Sequence, residues 1–338
     1  MLPRMKIDGG IAMQLDKAAG VAQTLERRGY DGGWTGEISH DVFIPLLLAA
    51  EHTETLEIGT CIAVAFARNP MTIANVAWDL NAYSQGRFVL GLGSQIRAHI
   101  EKRFGMPWGK PVARMREFIA ALDAIWSCWN DGTELRFEGE YHRHTLMTPM
   151  FVPEAQPYGT PRVFLAAVGE AMTELCGEVA DGMHTHAFTT PRYIAEVSLP
   201  ALQRGIEKAG RTRADVEICC PAFVVTGTTE EEMAAAATAM RRQISFYGST
   251  PAYRGVLDVH GWGDLQLELR TLSMRGEWEA MGDLITDDIL ETFAVVEPLD
   301  RVAAAVRARY EGVVDRIMMG LPNATDEQAA QVLTELRA

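Results

Sequence analysis

The sequence predicts an α/β fold in which about eight parallel strands close into a (β/α)8, or TIM, barrel. Strand and helix patterns alternate almost from end to end, the strands are continuous apolar runs, and most strands end in small or polar residues. Continuous apolar runs are typical of parallel strands that are buried on both faces, and a barrel carries its functional residues at the carboxyl ends of its strands. An open, doubly wound sheet is the alternative for the same pattern.

The clearest strand–helix–strand unit covers residues 58–93, where apolar runs at 58–65 and 87–93 flank an amphipathic helical stretch at 71–83. The other expected strands are 5–9, 31–37, 162–167, 182–187, 216–226 and 314–319. The other expected helices are 16–29, 42–53, 112–129, 170–179, 191–209, 229–243, 299–310 and 325–337. Gly29 supplies the glycine that commonly ends a helix.

Two segments depart from this alternation. Residues 133–146 alternate polar and apolar side chains around Glu138–Gly139, which predicts an inserted hairpin. Residues 248–290 break the rhythm and predict an insertion of short helices. Because no linker or low-complexity segment divides the chain, residues 1–338 are expected to form a single domain that carries both insertions.

The composition argues against several classes of protein. Of the 338 residues, 48% are hydrophobic, and the formal net charge is −14 without any basic run, so nucleic acid and anionic membranes would be repelled. No apolar stretch reaches the ~20 residues of a membrane span, and the amino terminus has no apolar signal region. The odd count of 5 cysteines, without repeated spacing, indicates reduced thiols in a cytoplasmic protein.

Polar and small residues collect at the predicted strand ends. They are Asp8, Glu37, His40, Arg68, Asn69, Ser94, Gln95, Arg97, His99, Ala167–Gly169, His184, His186 and Met318–Gly320. An imidazole titrates near neutrality and a neighbouring carboxylate can fix its tautomer, so Glu37 and His40 are candidates for proton transfer. A solvated histidine beside a helix cap is the alternative for this pair.

The stretch Ala166–Ala167–Val168–Gly169 comes directly before a predicted helix. Small side chains allow free backbone N–H groups to bind an anion at a helix amino terminus, so this stretch is a candidate phosphate loop. Close packing of a strand against a helix is the alternative. The sequence has no Walker loop, and no GxGxxG motif follows a predicted strand.

Metal and nucleophile chemistry are weaker alternatives. His184 with His186, and His142 with His144, each share one face of a strand and would suit zinc. Metal-dependent hydrolase barrels typically carry such a pair on the first strand, where this chain offers only Asp8. No metal is therefore expected, and the absence of a GxSxG motif gives no support to nucleophilic hydrolysis.

Four stretches resemble the bacterial luciferase-like monooxygenase superfamily, especially its branch that uses the deazaflavin coenzyme F420. They are GYDGGWTGEISH from residue 29, IGTCIAVAFARNP from 58, SQGRFVLGLGSQ from 84, and VFLAAVGEAMTELCGEVADGMHTH from 163. They are similar, in order, to the family's acid–His strand, its third strand, its Ser-x-Gly-Arg strand and its phosphate loop. The resemblance covers most of the chain and implies a TIM barrel.

The resemblance also implies roles for individual residues. Glu37 and His40 would be the acid–base pair beside the cofactor's redox centre, with His40 two residues later than the family's usual histidine. A non-proline cis peptide would join Cys61 to Ile62 behind the ring. Ser94 stands where some deazaflavin dehydrogenases carry Glu. The implied cofactor-binding residues are Trp34, Cys61, Ile62, Ala63, Ser94, Gln95 and, at the phosphate tail, Ala166, Ala167, Val168 and Gly169.

The function implied by the resemblance is hydride transfer between coenzyme F420 and a small organic substrate. One alternative is a two-component monooxygenase that uses reduced FMN, oxygen and a flavin reductase as partner. Another is a non-catalytic protein that binds the cofactor. A homodimer is expected because family members often dimerise. The sequence leaves open the substrate and the direction of hydride transfer.

Overall fold

The computed structural model describes residues 4–337 and confirms the predicted fold, a closed barrel of eight parallel strands surrounded by helices. In chain order, the strands are β1 (Lys6–Gly10), β2 (Gly32–Thr35), β3 (Glu57–Thr60), β4 (Ala63–Val64), β5 (Phe88–Gly93), β6 (Phe137–Glu138), β7 (Arg143–His144), β8 (Arg162–Ala166), β9 (Gly182–His184), β10 (Glu217–Pro221), β11 (Phe223–Val225), β12 (Ala294–Val296) and β13 (Arg316–Met318).

Helices follow the barrel strands and make up much of the later insertion. In chain order, they are α1 (Leu15–Arg28), α2 (Ile44–His52), α3 (Pro70–Tyr83), α4 (Arg97–Lys102), α5 (Pro111–Asp131), α6 (Glu170–Val179), α7 (Pro191–Tyr193), α8 (Leu199–Lys208), α9 (Glu230–Gly248), α10 (Arg254–Asp258), α11 (Gly263–Arg275), α12 (Trp278–Asp283), α13 (Asp287–Phe293), α14 (Val302–Tyr310) and α15 (Asp326–Leu336). A π-helical turn, Ile194–Ser198, joins α7 to α8.

The barrel closes in the strand order β1-β2-β3-β5-β8-β9-β10-β13, because β3 pairs with β5 and β13 pairs with β1. All of these pairings are parallel. Three features lie outside this ring. β4 extends the sheet beside β5, β6 and β7 form an antiparallel hairpin, and β11 pairs with β12 in a separate parallel sheet.

Two predicted strands are divided in the structure. The expected strand 58–65 is split into β3 and β4, and the peptide bond Cys61–Ile62 between them is cis. The expected strand 216–226 leaves the barrel after Pro221, and β11 continues on the separate sheet. Proline has no N–H to donate to a sheet ladder, which suits the end of a barrel strand. The short elements α4 and β12 were not predicted.

Charged side chains fill the amino-terminal end of the barrel interior. Lys6, Glu57, Arg162 and Glu217 come from alternate barrel strands and form ion pairs of 2.9–3.2 Å. The fully buried Arg316 pairs with both glutamates. Burial alone would raise the pKa of Glu57, but Arg316, Arg162 and Lys6 outweigh it and lower the pKa to about 2. This layer fills one end of the barrel and leaves the carboxyl-terminal mouth for ligands.

Two apolar clusters stabilise the fold. The larger lies between the strands and the surrounding helices and includes Ile7, Leu46, Ile58, Leu122 and Ile317, all fully buried. The second joins residues after β9 to the segment from β11 to β12 and centres on the buried side chains of Phe188, Leu269, Met281 and Phe293. Within residues 4–337, no helix combines the length and apolarity that crossing a membrane requires.

Candidate active site

Trp34 lies in the barrel interior, where it is 3% exposed and packs in a buried cluster with Val89, Phe164 and Cys219. Its indole Nε1 donates a hydrogen bond of 2.9 Å to Asp8, and Asp8 accepts two more, of 2.8 and 2.9 Å, from Arg316. The Arg316 guanidinium also lies 5.2 Å from the centroid of the Trp34 ring. The Trp34 ring is therefore held in a fixed position by Asp8 and Arg316.

The cis peptide bond between Cys61 and Ile62, implied by the resemblance, is present. After it, Ala63 and Val64 pair with the last residues of β5. Gly93 makes this approach possible, because a Cβ there would lie 2.8 Å from the Ile62 side chain. The backbone bulge formed by Cys61, Ile62 and Ala63 therefore lies at the carboxyl end of the barrel. Burial raises the pKa of the Cys61 thiol to about 12, so the thiol stays protonated.

The carboxylate of Glu37 is held by the bulge rather than by His40. Its Oε2 accepts the backbone N–H of Val64 at 2.7 Å and also pairs with Arg68. The Glu37 side chain is 7% exposed, whereas His40 is exposed on the same loop. Among the described residues no hydrogen bond joins Glu37 to His40. The structure therefore brings both residues to the mouth but gives Glu37 a role in holding the bulge.

Residues 166–169 form an uncapped helix amino terminus. Gly169 is the N-cap of α6, and no side chain in the described part of the chain caps the helix. The backbone N–H groups of Val168, Gly169, Glu170 and Ala171 donate to no other group in residues 4–337. A side chain added at Gly169 would meet no atom within 4 Å. Free donors facing open space are what a phosphate requires.

Glu170, whose charge would repel a phosphate, is paired with a cation on a neighbouring helix. Its carboxylate pairs with Arg204 on α8 at 3.0 Å, and Arg204 also pairs with Glu174. The single positive charge of Arg204 therefore offsets part of the charge of the two carboxylates. Glu170 is compatible with the phosphate-loop hypothesis.

Ser94 and Gln95 follow β5 at the same mouth and are half-buried. Gln95 has a φ of 58°, in the left-handed region that non-glycine residues seldom adopt, and its side-chain oxygen accepts the N–H of Ile96 at 3.0 Å. Such conformations cluster at binding sites, where the surrounding structure holds them in place. The loop after β5 therefore presents a fixed backbone to the mouth.

The two histidines after β9 have different environments. His184 is 1% exposed inside the barrel, beside Trp34 and Phe164, and neither of its ring nitrogens has a hydrogen-bond partner among the described residues. His186 follows the end of β9, and its ring contacts the rings of Tyr247 and Tyr253. Within residues 4–337 no group of three or more potential metal ligands comes together.

Three residues that contact the candidate site residues were not predicted in that role from the sequence. The Arg that ends the third-strand motif was visible as Arg68, but its pairing with Glu37 spans 31 residues of chain. Arg316 was not singled out, although it is a charged residue within an apolar strand. Tyr253 belongs to the insertion at 248–290, whose position over the barrel no local pattern specifies.

The chain is similar in sequence to known proteins over most of its length. An uncharacterised protein of Mycobacterium tuberculosis is 62% identical over 334 residues, covering 99% of this chain and 98% of that protein. The 5,10-methylenetetrahydromethanopterin reductase of Methanolobus tindarius is 26% identical over 322 residues, covering 93% of each chain.

Solved structures share the fold. The coenzyme F420-dependent tetrahydromethanopterin reductase of Methanopyrus kandleri superposes with a TM-score of 0.80 at 20% identity, covering 99% of this chain and 98% of that one. The FMN-bound oxygenating constituent of 3,6-diketocamphane monooxygenase from Pseudomonas putida gives 0.69 at 14% identity, covering 98% and 96%. Residues 4–316 match the luciferase-like monooxygenase family, and the chain belongs to that family.

Proposed function

We propose that this protein is an oxidoreductase that exchanges hydride between coenzyme F420 and a small organic substrate at the carboxyl-terminal mouth of the barrel. The observation that carries the proposal is the uncapped α6 amino terminus, with its four free N–H groups, at the same mouth as the cis bulge and His40. The F420-dependent reductase among the similar structures supports the choice of cofactor.

The residues present fit such a cofactor. Ala166, Ala167, Val168 and Gly169 would hold its phosphate through backbone amides, and Trp34 with the bulge at Cys61, Ile62 and Ala63 would bound the ring, next to Ser94 and Gln95. Bound coenzyme F420 would supply hydride chemistry at ring carbon C5. The protein's contribution is to orient the two reactants and to exclude water from between them.

His40 is the proposed proton donor or acceptor. It lies on the loop after β2 and is exposed, so its imidazole is free to exchange a proton with a substrate and with solvent. Glu37 acts on this loop indirectly, because it anchors the same loop to Val64 and Arg68. Glu37 is therefore proposed as a positioning residue, and His40 as the catalytic residue.

A two-component flavin monooxygenase is the second candidate, and the FMN-bound structure with the same fold supports it. The same phosphate loop would serve FMN, and a flavin reductase would be the partner protein. Dependence on oxygen separates the two, because a deazaflavin has carbon in place of flavin nitrogen N5 and reacts slowly with oxygen. Oxygen consumption with FMN and a reductase, and none with F420, would favour this candidate.

The experiment that tests catalysis compares wild type with His40→Gln. Both proteins should bind F420 equally, measured by quenching of tryptophan fluorescence. Oxidation of reduced F420 by a panel of carbonyl and imine compounds, followed anaerobically, should be at least about 100-fold slower in the variant. Equal rates in both proteins would remove His40 from the mechanism. F420 binding without any turnover would favour a non-catalytic cofactor-binding protein.

The expected homodimer is also a proposal. Ile44 and Leu47 on α2 and Tyr83 on α3 are large apolar side chains with exposures of 50%, 46% and 51%. α2 and α3 are in contact, so these side chains would form part of one exposed face. Sedimentation equilibrium of wild type and of Leu47→Glu would test this face, with a dimer expected for wild type and a monomer for the variant.

A further inference from the structure

His186 lies just beyond β9, at the carboxyl-terminal end of the barrel, and the preceding residue Thr185 still donates its N–H to the Cys219 carbonyl of β10. It follows β9 with the same alternation that directs His184 inward, where the His184 ring lies 4.8 Å from Trp34 and 5.3 Å from Phe164 between centroids. Residues two apart on an extended strand share a face. The imidazole of His186 therefore lies on the barrel side of the chain, one layer nearer to the carboxyl-terminal opening than His184.

The ring of His186 is fixed by the insertion. It stacks on Tyr253 at a centroid distance of 4.3 Å and an interplanar angle of 24°, and it meets the edge of Tyr247 at 4.7 Å. Its Nδ1 accepts the backbone N–H of Phe188 at 3.0 Å. Because Nδ1 uses its lone pair in this bond, the neutral ring carries its proton on Nε2.

The Nε2–H of His186 is available to a ligand. No group in residues 4–337 accepts a hydrogen bond from it, and it is not among the polar atoms sealed from solvent, whereas both ring nitrogens of His184 are. Burial lowers the pKa of His186 to about 4, so the ring is uncharged at neutral pH. Together these features describe a fixed, neutral hydrogen-bond donor at the mouth.

The surroundings of His186 offer little to an anion. Its ring neighbours are the tyrosines Tyr247 and Tyr253, and burial is the only cause of its pKa shift, so no charged side chain lies close to it. The free N–H groups of residues 168–171 are assigned to the cofactor phosphate. A carboxylate or phosphate placed here would lose hydration without meeting a positive charge. An uncharged acceptor, such as a carbonyl or hydroxyl oxygen, loses far less water and needs only one donor.

We propose that His186, held against Tyr253, donates its Nε2–H to an uncharged acceptor on the substrate and thereby selects neutral substrates over anionic ones. This role goes beyond cofactor binding and determines specificity. The inference rests on the proposed function only in placing the substrate at the mouth beside the cofactor. The donor itself exists in the cofactor-free protein, so it can be tested separately.

The test uses three probes of one shape: acetophenone with a neutral acceptor, benzoate with a charged one, and ethylbenzene with none. Their binding to wild type, His186→Phe and His186→Gln is measured by ligand-observed NMR, with and without F420. His186→Phe keeps a ring to stack on Tyr253 but has no donor, and His186→Gln keeps a donor. Nitrogen-15 NMR of labelled histidine reports the tautomer of His186 in the wild type.

Wild type is expected to bind acetophenone at least fivefold more tightly than either other probe. His186→Phe should lose its preference for acetophenone over ethylbenzene, and His186→Gln should retain part of it. Equal binding of the three probes, no binding of any, an unchanged preference in His186→Phe, or an Nδ1–H tautomer would each overturn the proposal. Failure of F420 binding with the probe preference intact would instead reject the proposed function alone.

Discussion

Glu37 and Arg68 form an ion pair that joins the loop after β2 to the bulge at β4, and the same carboxylate oxygen accepts the N–H of Val64 at 2.7 Å. The two side chains are 7% and 19% exposed, so the pair is largely shielded from water. Val64 lies two residues after the cis bond at Cys61–Ile62. Glu37 therefore fixes the bulge relative to the loop that carries His40.

Removing this carboxylate should loosen the mouth. Glu37→Ala leaves Arg68 and the Val64 N–H without their acceptor, so we expect the free energy of unfolding to fall by about 2–3 kcal/mol and the affinity for F420 to fall with it. Glu37→Gln keeps a neutral acceptor and should lose about half as much. Urea unfolding and F420 titration measure the two effects, and an unchanged Glu37→Ala protein would contradict this role.

Substitutions at Gly169 should affect the stability of α6 and the binding of a phosphate in opposite directions. Its φ of −93° and ψ of 157° suit any residue, and its Cβ position is open, so aspartate is tolerated as the N-cap of α6. We expect Gly169→Asp to keep or raise stability by a few tenths of a kcal/mol, because its carboxylate caps free N–H groups. The same carboxylate would displace and repel a phosphate and weaken F420 binding at least tenfold.

Gly169→Asn is the matched control for charge, since it caps the helix without a negative group. It should weaken F420 binding less than Gly169→Asp does. Thermal melting and fluorescence titration give the two readouts on the same samples. Wild-type F420 affinity in Gly169→Asp would place the phosphate elsewhere.

His184 makes stability depend on pH. Burial and the charge of Arg316 lower its pKa from 6.5 to about 3. As pH falls below 6.5, the unfolded chain takes up this proton while the folded protein does not. The stabilisation is thus complete above pH 6.5 and is lost towards pH 3, at up to about 1.4 kcal/mol per pH unit from this residue.

The substitution His184→Leu should flatten this dependence. It removes the titrating group and leaves a side chain that suits the neighbouring rings of Trp34 and Phe164. Urea unfolding between pH 7.5 and 4.5 measures the slope, with His99→Leu on the exposed face of α4 as the control for loss of a histidine. An identical slope in His184→Leu and wild type would show that His184 accepts its proton in the folded protein.

Gly91 allows β5 to lie close to β3. A Cβ at Gly91 would be 1.8 Å from the Thr60 carbonyl oxygen and 2.9 Å from Nε2 of His184. Backbone cannot yield as a flexible side chain does, so Gly91→Ala should lower the free energy of unfolding by about 3 kcal/mol or more. Gly10→Ala, where no atom lies within 4 Å, is the matched control. Equal stability of the two variants would contradict this packing.

The fold was predictable from sequence because each barrel strand is a short apolar run and each connection is helical. The predicted strand boundaries are wrong where tertiary contacts determine which sheet a residue joins. β10 and β11 read as one apolar run, and only the pairing of β11 with β12 separates them. β12 itself has three residues, too few to show a pattern.

The strand ends predicted candidate site residues, but they did not predict the partners of those residues. The strand ends gave Glu37, His40 and residues 166–169, and the cis bond at Cys61–Ile62 followed from the resemblance. The pairing of Glu37 with Arg68 rather than His40 depends on the path of the bulge. The contact between His186 and Tyr253 depends on how the insertion folds over the mouth, which joins residues 67 positions apart. The spacing of neighbouring residues in the sequence does not predict contacts between residues this far apart in the chain.

The preference of the protein for F420 or FMN decides whether it is a deazaflavin-dependent oxidoreductase. Purified protein is titrated separately with F420 and with FMN, under the same anaerobic conditions, and tryptophan quenching gives the two dissociation constants. We predict micromolar binding of F420 and binding of FMN at least tenfold weaker. Tighter binding of FMN would contradict it in favour of a flavin monooxygenase, and binding of neither cofactor would reject the phosphate loop at residues 166–169.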